Sequence, residues 1–213
     1  MIGVLGGTFD PIHYGHLRPA HEVQQRLALE SLRLVPAAVP PHRALPVATA
    51  AQRLRMVELA VPEFPGLVAD DREIRRGGIS YTVVTLEGLR HERGAQALCL
   101  LLGADAFFGL PTWYSWERLF DLTHFVVMQR PGQPLPVGDA LPPWAVRRVC
   151  ATVDELARRP AGGILFVPVT PRDVSATQLR ATMGRGEMPP VDVLPPAVWH
   201  YIRSNNIYRN LVN

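Results

Sequence analysis

The stretch MIGVLGGTFDPIHYGH, residues 1–16, decides the fold. Its first five residues are apolar and predict a buried strand, which ends at the glycine pair Gly6-Gly7. A helix is expected to begin near His16. A strand, a glycine loop and a helix start, in that order, leave free backbone N–H groups and the positive end of a helix dipole at the carboxyl edge of a sheet. The stretch therefore predicts a cradle for an anion.

Five further apolar runs follow, with room for helices between them. They are LRLVP (32–36), GLVAD (66–70), ALCLLLG (97–103), HFVVMQ (124–129) and ILFVPV (164–169). The runs are continuous rather than alternating with polar residues, which is typical of parallel strands buried on both faces. The sequence therefore predicts an α/β fold, a Rossmann-like doubly wound parallel sheet, with a small helical C-terminal part.

Helices are predicted between and after these strands. Two of them open with a capping box, Thr49–Gln52 and Ser175–Gln178, in which the first side chain and a glutamine three residues later satisfy free backbone N–H groups. The predicted helical segments are 16–30, 49–61, 81–93, 115–120, 144–158, the segment after the second capping box, and 195–205. The proline-rich stretch 130–143 is interpreted as a surface linker. We expect one domain over 1–213, with an α/β core to about residue 170 and a helical part from about residue 171.

The charged residues restrict the chemistry. All 22 basic residues are arginine, and the formal charge is +3 at pH 7. Without lysine, a phosphate has to be held by guanidinium groups, imidazoles or backbone amides, and a Schiff base is excluded. The arginines are scattered and aromatic side chains are not interleaved with them, so we expect no nucleic-acid partner. A small anionic ligand fits better.

The lack of targeting signals and the few cysteines predict a cytoplasmic protein. No window stays apolar for about 18 residues, and the first segment has neither a basic leader nor a small-residue cleavage site, so we expect no membrane partner. Cys99 lies in an apolar run and Cys150 in a predicted helix, and neither has the spacing of a metal ligand. Both are expected to be buried free thiols.

The histidine pair indicates that the first stretch is a phosphate-binding site and not only a turn. Asp10-Pro11 turns the chain, and His13 and His16 then stand three residues apart at the predicted helix start, where both would face a bound phosphate. A neutral imidazole donates one hydrogen bond, and a neighbouring phosphate raises its pKa. The glycine pair alone fits an ordinary tight turn. A zinc site is disfavoured because no third ligand stands at a recognisable spacing.

Two motifs carry a resemblance to a known family. GGTFDPIHYGH (6–16) resembles the His-x-Gly-His signature of the nucleotidyltransferase superfamily, and VSATQLR (174–180) is similar to its Ser-x-Thr-x-x-Arg signature. Within that superfamily, the segments that resemble bacterial nicotinate-nucleotide adenylyltransferases are VPPHR (39–43), SYTVVTL (80–86), LLGADAFFGLPTWYSWE (101–117) and VMQRPG (127–132). The resemblance runs from Gly6 to Tyr208 and implies a sheet of the nucleotidyltransferase type. Arginine replaces the frequent lysine after PPH, and Ala37-Ala38 replaces the asparagine of some members.

The resemblance implies transfer of the adenylyl group of ATP to nicotinate mononucleotide, giving deamido-NAD and pyrophosphate, in NAD biosynthesis. The catalytic residues that it implies are His16, His13 and Arg180. It assigns ATP binding to Gly6, Gly7, Thr8, Phe9, Gly103, Asp105, Ser175 and Thr177, and binding of nicotinate mononucleotide to His42, Arg43, Tyr81, Thr82, Trp113 and Tyr114. Mg²⁺ is the expected cofactor, bridging ATP oxygens without ligands from protein side chains.

Several of these residues also fit simpler roles. Asp105 at a helix start and the second capping box are ordinary N-cap features. Trp113 and Phe108 also fit packing beneath a loop, and for Trp116 we favour packing. Arg130 fits a phosphate contact and a strand end equally.

Other functions remain open at this point. They are an adenylyltransferase for nicotinamide mononucleotide or phosphopantetheine, a cytidylyltransferase, and a nucleotide-binding regulator without turnover. The SYT and TWY segments argue against phosphopantetheine and cytidylyl transfer, and the presence of both histidines and Arg180 argues against lost chemistry. We expect ATP and nicotinate mononucleotide as partners of a monomer or weak homo-oligomer, and residues 36–48 as a mobile flap.

Overall fold

A computed structural model describes residues 1–41, 45–129, 140–170 and 174–209. Within these residues six strands form one parallel sheet. The strands are β1 (Ile2–Gly7), β2 (Ser31–Pro36), β3 (Leu67–Ala69), β4 (Leu98–Gly103), β5 (His124–Gln129) and β6 (Ile164–Pro168). Each apolar run singled out in the sequence overlaps one of them, so the predicted doubly wound parallel fold is confirmed.

The order of the strands creates a crevice. The sheet runs β3-β2-β1-β4-β5-β6, so β1 and β4 are neighbours although β2 and β3 separate them along the chain. The chain builds outward from β1 to β3, returns to the other side of β1 and builds outward again. Where the direction reverses, a ligand crevice opens beyond the carboxyl ends of the two strands. Ile2 pairs with Leu98 and Val4 with Leu100, and the same register, continued, sets Gly7 level with Gly103.

The helices of the described residues mostly follow the predicted segments. They are α1 (Tyr14–Arg26), α2 (Ala50–Ala60), α3 (Arg72–Arg76), α4 (Thr82–Arg93), α5 (Ala104–Phe108), α6 (Leu119–Leu122), α7 (Pro143–Val146), α8 (Val153–Ala157), α9 (Ala176–Gly184) and α10 (Pro196–Ser204). Short 3-10 turns span Val61–Glu63, Leu110–Thr112 and Trp116–Arg118. The capping box of α2 is confirmed, because the Thr49 hydroxyl accepts from the N–H of Gln52 at 3.2 Å and the Gln52 side chain accepts from the N–H of Thr49 at 2.9 Å.

Apolar side chains pack on both faces of the sheet. β1 sends Leu5 to one face and Val4 to the other. Helices α1, α2 and α10 cover the face of Leu5, whereas α4, α5 and α6 cover the opposite face. Val198 and Ile202 of α10 join the same apolar cluster as α1. Helix α10 packs against α2 on this face of the sheet.

The helix predicted over 144–158 is wrong. The chain forms α7 and α8 instead and runs between them as an extended segment, in which Val149 makes a parallel bridge with Ile164 of β6. The N–H of Ile164 donates to the Arg148 carbonyl, and the N–H of Cys150 donates to the Ile164 carbonyl, both at 2.8 Å. Because β6 is an edge strand, these bonds satisfy backbone groups that a continuous helix would leave unpaired.

Two smaller expectations are settled by local geometry. Helix α1 spans Tyr14–Arg26 rather than 16–30, because Ala28 has a left-handed backbone with φ 46° and ends the helix early. Cys99 and Cys150 are buried and free, as predicted, although Cys150 lies outside a helix.

Candidate active site

The carboxyl ends of β1 and β4 are open to a ligand. Gly6 on β1 and Gly103 on β4 are exposed, and a Cβ added to either would have no heavy atom within 4 Å. A ligand can therefore approach the main chain of both strands without meeting a side chain. Asp105 is also exposed, as the second residue of α5, and the N-cap of that helix is Gly103.

Gly7, Thr8 and Phe9 form a turn that the Phe9 ring and the buried Arg53 stabilise. Phe9 has a left-handed backbone with φ 50°, and its ring fills the space of a Cβ on Gly7, which would lie 2.7 Å from that ring. The Thr8 carbonyl accepts a 2.8 Å hydrogen bond from Nη1 of Arg53. Because the C=O and N–H of a trans peptide point in opposite directions, this bond aims the N–H of Phe9 away from Arg53. The turn thus presents a backbone donor on its outer side.

His13 and His16 stack at the start of α1. His13 is the N-cap, and its carbonyl accepts from the N–H of His16 at 2.8 Å. The two ring centroids lie 3.8 Å apart with 26° between the planes, and the Phe9 ring meets His16 edge-on at 5.3 Å. Gly15 permits this arrangement, because a Cβ there would lie 2.9 Å from Cε1 of His13. The predicted histidine pair is therefore one imidazole stack beside the glycine turn.

Burial distinguishes the two imidazoles. His13 is 4% exposed, whereas His16 is half-buried. Desolvation lowers the pKa of His13 to about 4, so its imidazole is neutral at pH 7. Nδ1 of His13 is buried and has no hydrogen-bond partner in the described part of the chain. A buried polar atom of this kind can take a partner from a ligand or a water molecule.

The C-terminal motif packs against the stack. A Cβ on Gly15 would come within 3.2 Å of Cβ of Val174, at the start of the motif. Arg180 on α9 donates from Nη1 to the Asp10 carbonyl at 2.8 Å and from Nη2 to Oγ1 of Thr177 at 3.3 Å. Arg180 and Asp10 are 170 positions apart in the chain. The two motifs that carry the family resemblance therefore meet in space.

The capping box predicted over Ser175–Gln178 is wrong. Ser175 is the N-cap of α9, but its side chain makes no capping hydrogen bond. Its backbone has φ −111° and ψ 121°, whereas Thr49, which does cap α2, has φ −59° and ψ 159°. The N–H groups of the first turn therefore have no acceptor from the Ser175 side chain. Those groups are left to another acceptor, which a helix N-terminus favours when it is anionic.

Asp10 is at the centre of the site, and the sequence analysis interpreted it only as part of a turn. It is 6% exposed, and its carboxylate accepts from the Tyr208 hydroxyl at 2.7 Å and from the N–H groups of Val47 and Ala48 at 2.9 and 3.1 Å. Nη1 of Arg180 lies 4.0 Å from Oδ2 of the same carboxylate. Asp10 therefore joins the glycine turn, the segment before α2 and the C-terminal part of the chain.

Arg53 is a second residue that the sequence analysis missed. It is 1% exposed and fixes three backbone segments around the turn. The acceptors are the carbonyl groups of Thr8 (2.8 Å), Ala38 (3.1 Å) and Ala48 (3.2 Å). Burial lowers the pKa of Arg53, and the nearby Asp10 opposes this effect. A signal was present, because Arg53 lies on the same helical stripe as three buried residues of α2, Met56, Val57 and Ala60.

The segment after β2 connects the glycine turn to the aromatic residues. The N–H of Ala37 donates to the Gly7 carbonyl at 2.9 Å, and the N–H of Ala38 donates to the Ser80 hydroxyl at 2.8 Å. Ser80 directly precedes Tyr81. The alanine pair that departs from the family pattern therefore contributes backbone bonds at this position.

Four of the residues predicted to bind the pyridine nucleotide lie together. Tyr81 is the N-cap of α4 and Thr82 its first residue. The Tyr81 and Tyr114 rings lie 4.6 Å apart with 35° between their planes. Trp113, next to Tyr114, is half-buried against the adjacent apolar cluster. Outside the described residues lie His42, Arg43 and Arg130.

Trp116 has the packing role that we favour from the sequence. Its ring lies 5.4 Å from the Trp144 ring and 6.2 Å from the Phe120 ring, with T-shaped geometry in both pairs. Phe108, in contrast, is exposed.

The polar centre of the site consists of imidazole, guanidinium, carboxylate and backbone groups. Over residues 1–41, 45–129, 140–170 and 174–209, no group of three or more His, Cys, Asp or Glu side chains is placed to hold a metal ion. Over the same residues, no helix has the length and apolar character needed to cross a membrane.

The switch-point crevice, the imidazole stack and the arginine from α9 define a nucleotidyltransferase of the His-x-Gly-His type. A family model described as cytidylyltransferase-like matches residues 4–182. The chain is 52% identical over 185 residues to a probable nicotinate-nucleotide adenylyltransferase of Halorhodospira halophila, covering 87% of this chain and 85% of the relative. It is 46% identical over 212 residues to a protein of the same name from Aeromonas hydrophila, covering 98% and 97%. The chain belongs to the cytidylyltransferase-like family and, within it, to the nicotinate-nucleotide adenylyltransferases.

A solved structure has the same fold at low sequence identity. Nicotinic acid mononucleotide adenylyltransferase of Plasmodium falciparum, complexed with NaAD, superposes with a TM-score of 0.71 over 97% of this chain and 96% of that chain, at 14% identity. The same enzyme complexed with APC gives a TM-score of 0.68, with the same coverage of both chains. The sheet and its covering helices are therefore those of a known adenylyltransferase fold.

Proposed function

We propose that this chain transfers the adenylyl group of ATP to nicotinate mononucleotide, giving deamido-NAD and pyrophosphate, in NAD biosynthesis. The observation that carries the proposal is the meeting of the C-terminal motif with the first motif, through Arg180 at the Asp10 carbonyl and Val174 beside Gly15. The names of the relatives that are 46–52% identical support this choice of substrates.

The reaction depends on positioning more than on a general base. An ionised phosphate oxygen of the mononucleotide forms a bond to the α-phosphorus of ATP. The bond from that phosphorus to the bridging oxygen breaks, and pyrophosphate leaves with the electron pair. Because the nucleophile carries no proton, fixed donors that align two polyanions and stabilise the leaving oxygen account for most of the rate.

Three side chains are proposed to act on the reacting phosphates. His16, the more exposed imidazole, donates to the oxygens of the transition state, and His13 supports it from the buried side of the stack. Arg180 brings a permanent positive charge to the β- and γ-phosphates. Since His13 is neutral before ATP binds, the phosphates would raise its pKa and strengthen it as a donor.

Backbone groups are proposed to hold the rest of ATP. We assign the phosphates to N–H donors of the turn after β1 and of the first turn of α9, and the ribose to the end of β4. The residues in these roles are Gly6, Gly7, Thr8, Phe9, Gly103, Asp105, Ser175 and Thr177.

The aromatic residues are proposed to select the pyridine nucleotide. The faces of Tyr81, Tyr114 and Trp113 suit a flat pyridine ring. Backbone donors at Thr82 and Tyr114 would bind the carboxylate of nicotinate and disfavour the NH₂ of the amide analogue. His42 and Arg43 are proposed to act on the same nucleotide.

Mg²⁺ is proposed to arrive with ATP, held by phosphate oxygens and water, and to neutralise charge on the phosphates. The protein would then contact the phosphates through the imidazole and guanidinium donors described above. A cytoplasmic location and a monomeric or weakly associated state complete the proposal.

Two assays test the proposed reaction. The purified chain is mixed with ATP, Mg²⁺ and nicotinate mononucleotide, and pyrophosphate and deamido-NAD are measured together. We expect equal amounts of both products, and a lower kcat/KM with nicotinamide mononucleotide. ATP binding without pyrophosphate release would identify a regulator instead, and equal kcat/KM for the two mononucleotides would remove the acid preference.

The role of His16 has its own test. We expect His16→Ala to lower kcat by about 10²- to 10³-fold, the effect of removing one preorganised transition-state donor. His21→Ala, on the same helix, is the matched control and should keep the kcat of the unmodified protein. An unchanged kcat in His16→Ala would contradict the role.

A further inference from the structure

We propose that Tyr208 is a positioning residue that keeps Arg180 available to the nucleotide. Its hydroxyl satisfies the Asp10 carboxylate, which would otherwise draw Arg180 into a close ion pair. The inference rests on the proposed function, which supplies the ligand, a nucleoside triphosphate. The Asp10 carboxylate and a phosphate of that ligand would compete for the guanidinium group of Arg180.

The distances around Asp10 reveal an ion pair that does not close. Nη1 of Arg180 donates to the Asp10 carbonyl at 2.8 Å but stays 4.0 Å from Oδ2 of the carboxylate. Elsewhere in the chain, Arg33 and Asp70 make direct contact at 2.8 Å. Arg180 is therefore held beside a carboxylate by a neutral acceptor instead of by the charge.

The reason lies in the other partners of the carboxylate. Oδ1 accepts from the Tyr208 hydroxyl at 2.7 Å and from the N–H of Ala48 at 3.1 Å, and Oδ2 accepts from the N–H of Val47 at 2.9 Å. Tyr208 is 2% exposed, so water does not easily take the place of its hydroxyl. Without that hydroxyl, Oδ1 would keep one neutral donor in a buried setting, where an unsatisfied charge attracts the nearest cation strongly.

The cation that can close on Asp10 is Arg180. Arg53 is also close, but it is 1% exposed and its guanidinium already donates to three backbone carbonyls. The Arg180 side chain is 25% exposed and donates to one carbonyl and one hydroxyl, so it is less firmly held than Arg53. A close pair with Asp10 would cancel the charge that Arg180 offers to a triphosphate.

The experiment measures ATP affinity in Tyr208→Phe, which removes only the hydroxyl. The dissociation constant of MgATP is determined by calorimetry without the mononucleotide, and we expect it to rise about 10-fold. Tyr14→Phe is the control, because the Tyr14 hydroxyl donates at the same 2.7 Å to a different carboxylate, that of the exposed Glu63. The control should bind MgATP within twofold of the unmodified protein.

A second pair of variants separates positioning from stability. In an Arg180→Ala background, Tyr208→Phe should have no further effect on MgATP affinity, because the residue through which it acts is gone. Thermal unfolding measures the loss of stability in each tyrosine variant, and we expect the larger loss in Tyr208→Phe, because Asp10 is buried and Glu63 is exposed. An unchanged affinity in Tyr208→Phe, an equal loss in Tyr14→Phe, or a persisting loss in the Arg180→Ala background would each overturn the inference.

The two proposals fail in different ways. If the unmodified chain binds MgATP but forms no deamido-NAD, the proposed reaction is wrong, and the affinity comparison still tests Tyr208. If deamido-NAD forms and Tyr208→Phe binds MgATP normally, the reaction stands and the positioning role of Tyr208 is wrong.

Discussion

Acid should destabilise this fold in part through the buried imidazole of His13. His13 is 4% exposed, and desolvation lowers its pKa from 6.5 to about 4. In the unfolded chain the same imidazole takes a proton as the pH falls through 6.5, whereas in the folded chain it resists protonation until about pH 4. Between these values the unfolded state binds more protons, so the free energy of unfolding must decrease as the pH falls.

The size of the effect follows from the two pKa values. One pKa unit corresponds to about 1.4 kcal/mol, so the interval from 6.5 to about 4 corresponds to about 3 kcal/mol, lost progressively across that interval. Above pH 6.5 the imidazole is neutral in both states and has no effect on the pH dependence. The window of acid sensitivity therefore lies between about pH 6.5 and pH 4.

The assay compares urea unfolding of the unmodified chain and of His13→Asn from pH 7.5 to pH 4. Asparagine does not titrate and suits the N-cap position that His13 occupies. Other titrating groups are common to both proteins, so the difference between their profiles isolates His13. His91→Asn, at an exposed position on α4, should keep the acid sensitivity of the unmodified chain. Parallel profiles for the unmodified chain and His13→Asn would refute the reasoning.

Three further substitutions test the turn and its support. Gly6→Ala should leave stability within about 0.5 kcal/mol but weaken MgATP binding in calorimetry, because the new Cβ enters open space that the ligand would occupy. Gly7→Ala should cost about 1–3 kcal/mol in urea unfolding, because its Cβ would lie 2.7 Å from the Phe9 ring, and equal stability of the two alanine variants would contradict this. Arg53→Met should cost about 3 kcal/mol or more, because three buried carbonyls lose their donor. Arg53→Lys should not restore this stability, since one ammonium cannot reach three separated carbonyls, and full rescue would show that charge alone suffices.

The sheet could be predicted from the sequence because its signal is local. A strand buried on both faces needs a continuous apolar run, and Leu98–Gly103 and His124–Gln129 both have one. The capping box at Thr49 is equally local, since both of its bonds form within four residues. These features depend little on what packs around them.

The failures occur where a distant partner decides the local structure. The sequence predicts one helix over 144–158, yet Val149 pairs with the edge of β6, a strand that follows it in the chain. A local signal for the break existed, because the Thr152 side chain accepts from the N–H of Glu155 and begins a new helix there. The capping box at Ser175 is a different case, because its residue types fit the pattern and yet no capping bond forms at backbone angles of φ −111° and ψ 121°.

In the candidate site, too, the features with a local signal could be predicted and those that depend on distant residues could not. The imidazole stack and the glycine turn belong to one continuous motif, so their proximity could be predicted. Asp10 and Tyr208 could not be paired, because nothing in a single sequence relates an early turn to a late tyrosine. Arg53 was detectable in principle, as an arginine on the apolar stripe of α2.

The bond between Asp10 and Tyr208 joins positions 198 residues apart, so it can form only late in the synthesis of the chain. At ribosomal speeds of about 5–20 residues per second, roughly 10–40 s separate the incorporation of the two residues. During that interval the early turn exists without its late partner, and Arg180 is also missing for most of it. A nascent chain is therefore expected to hold nucleotide weakly until Tyr208 has left the ribosome, and to gain full affinity only then.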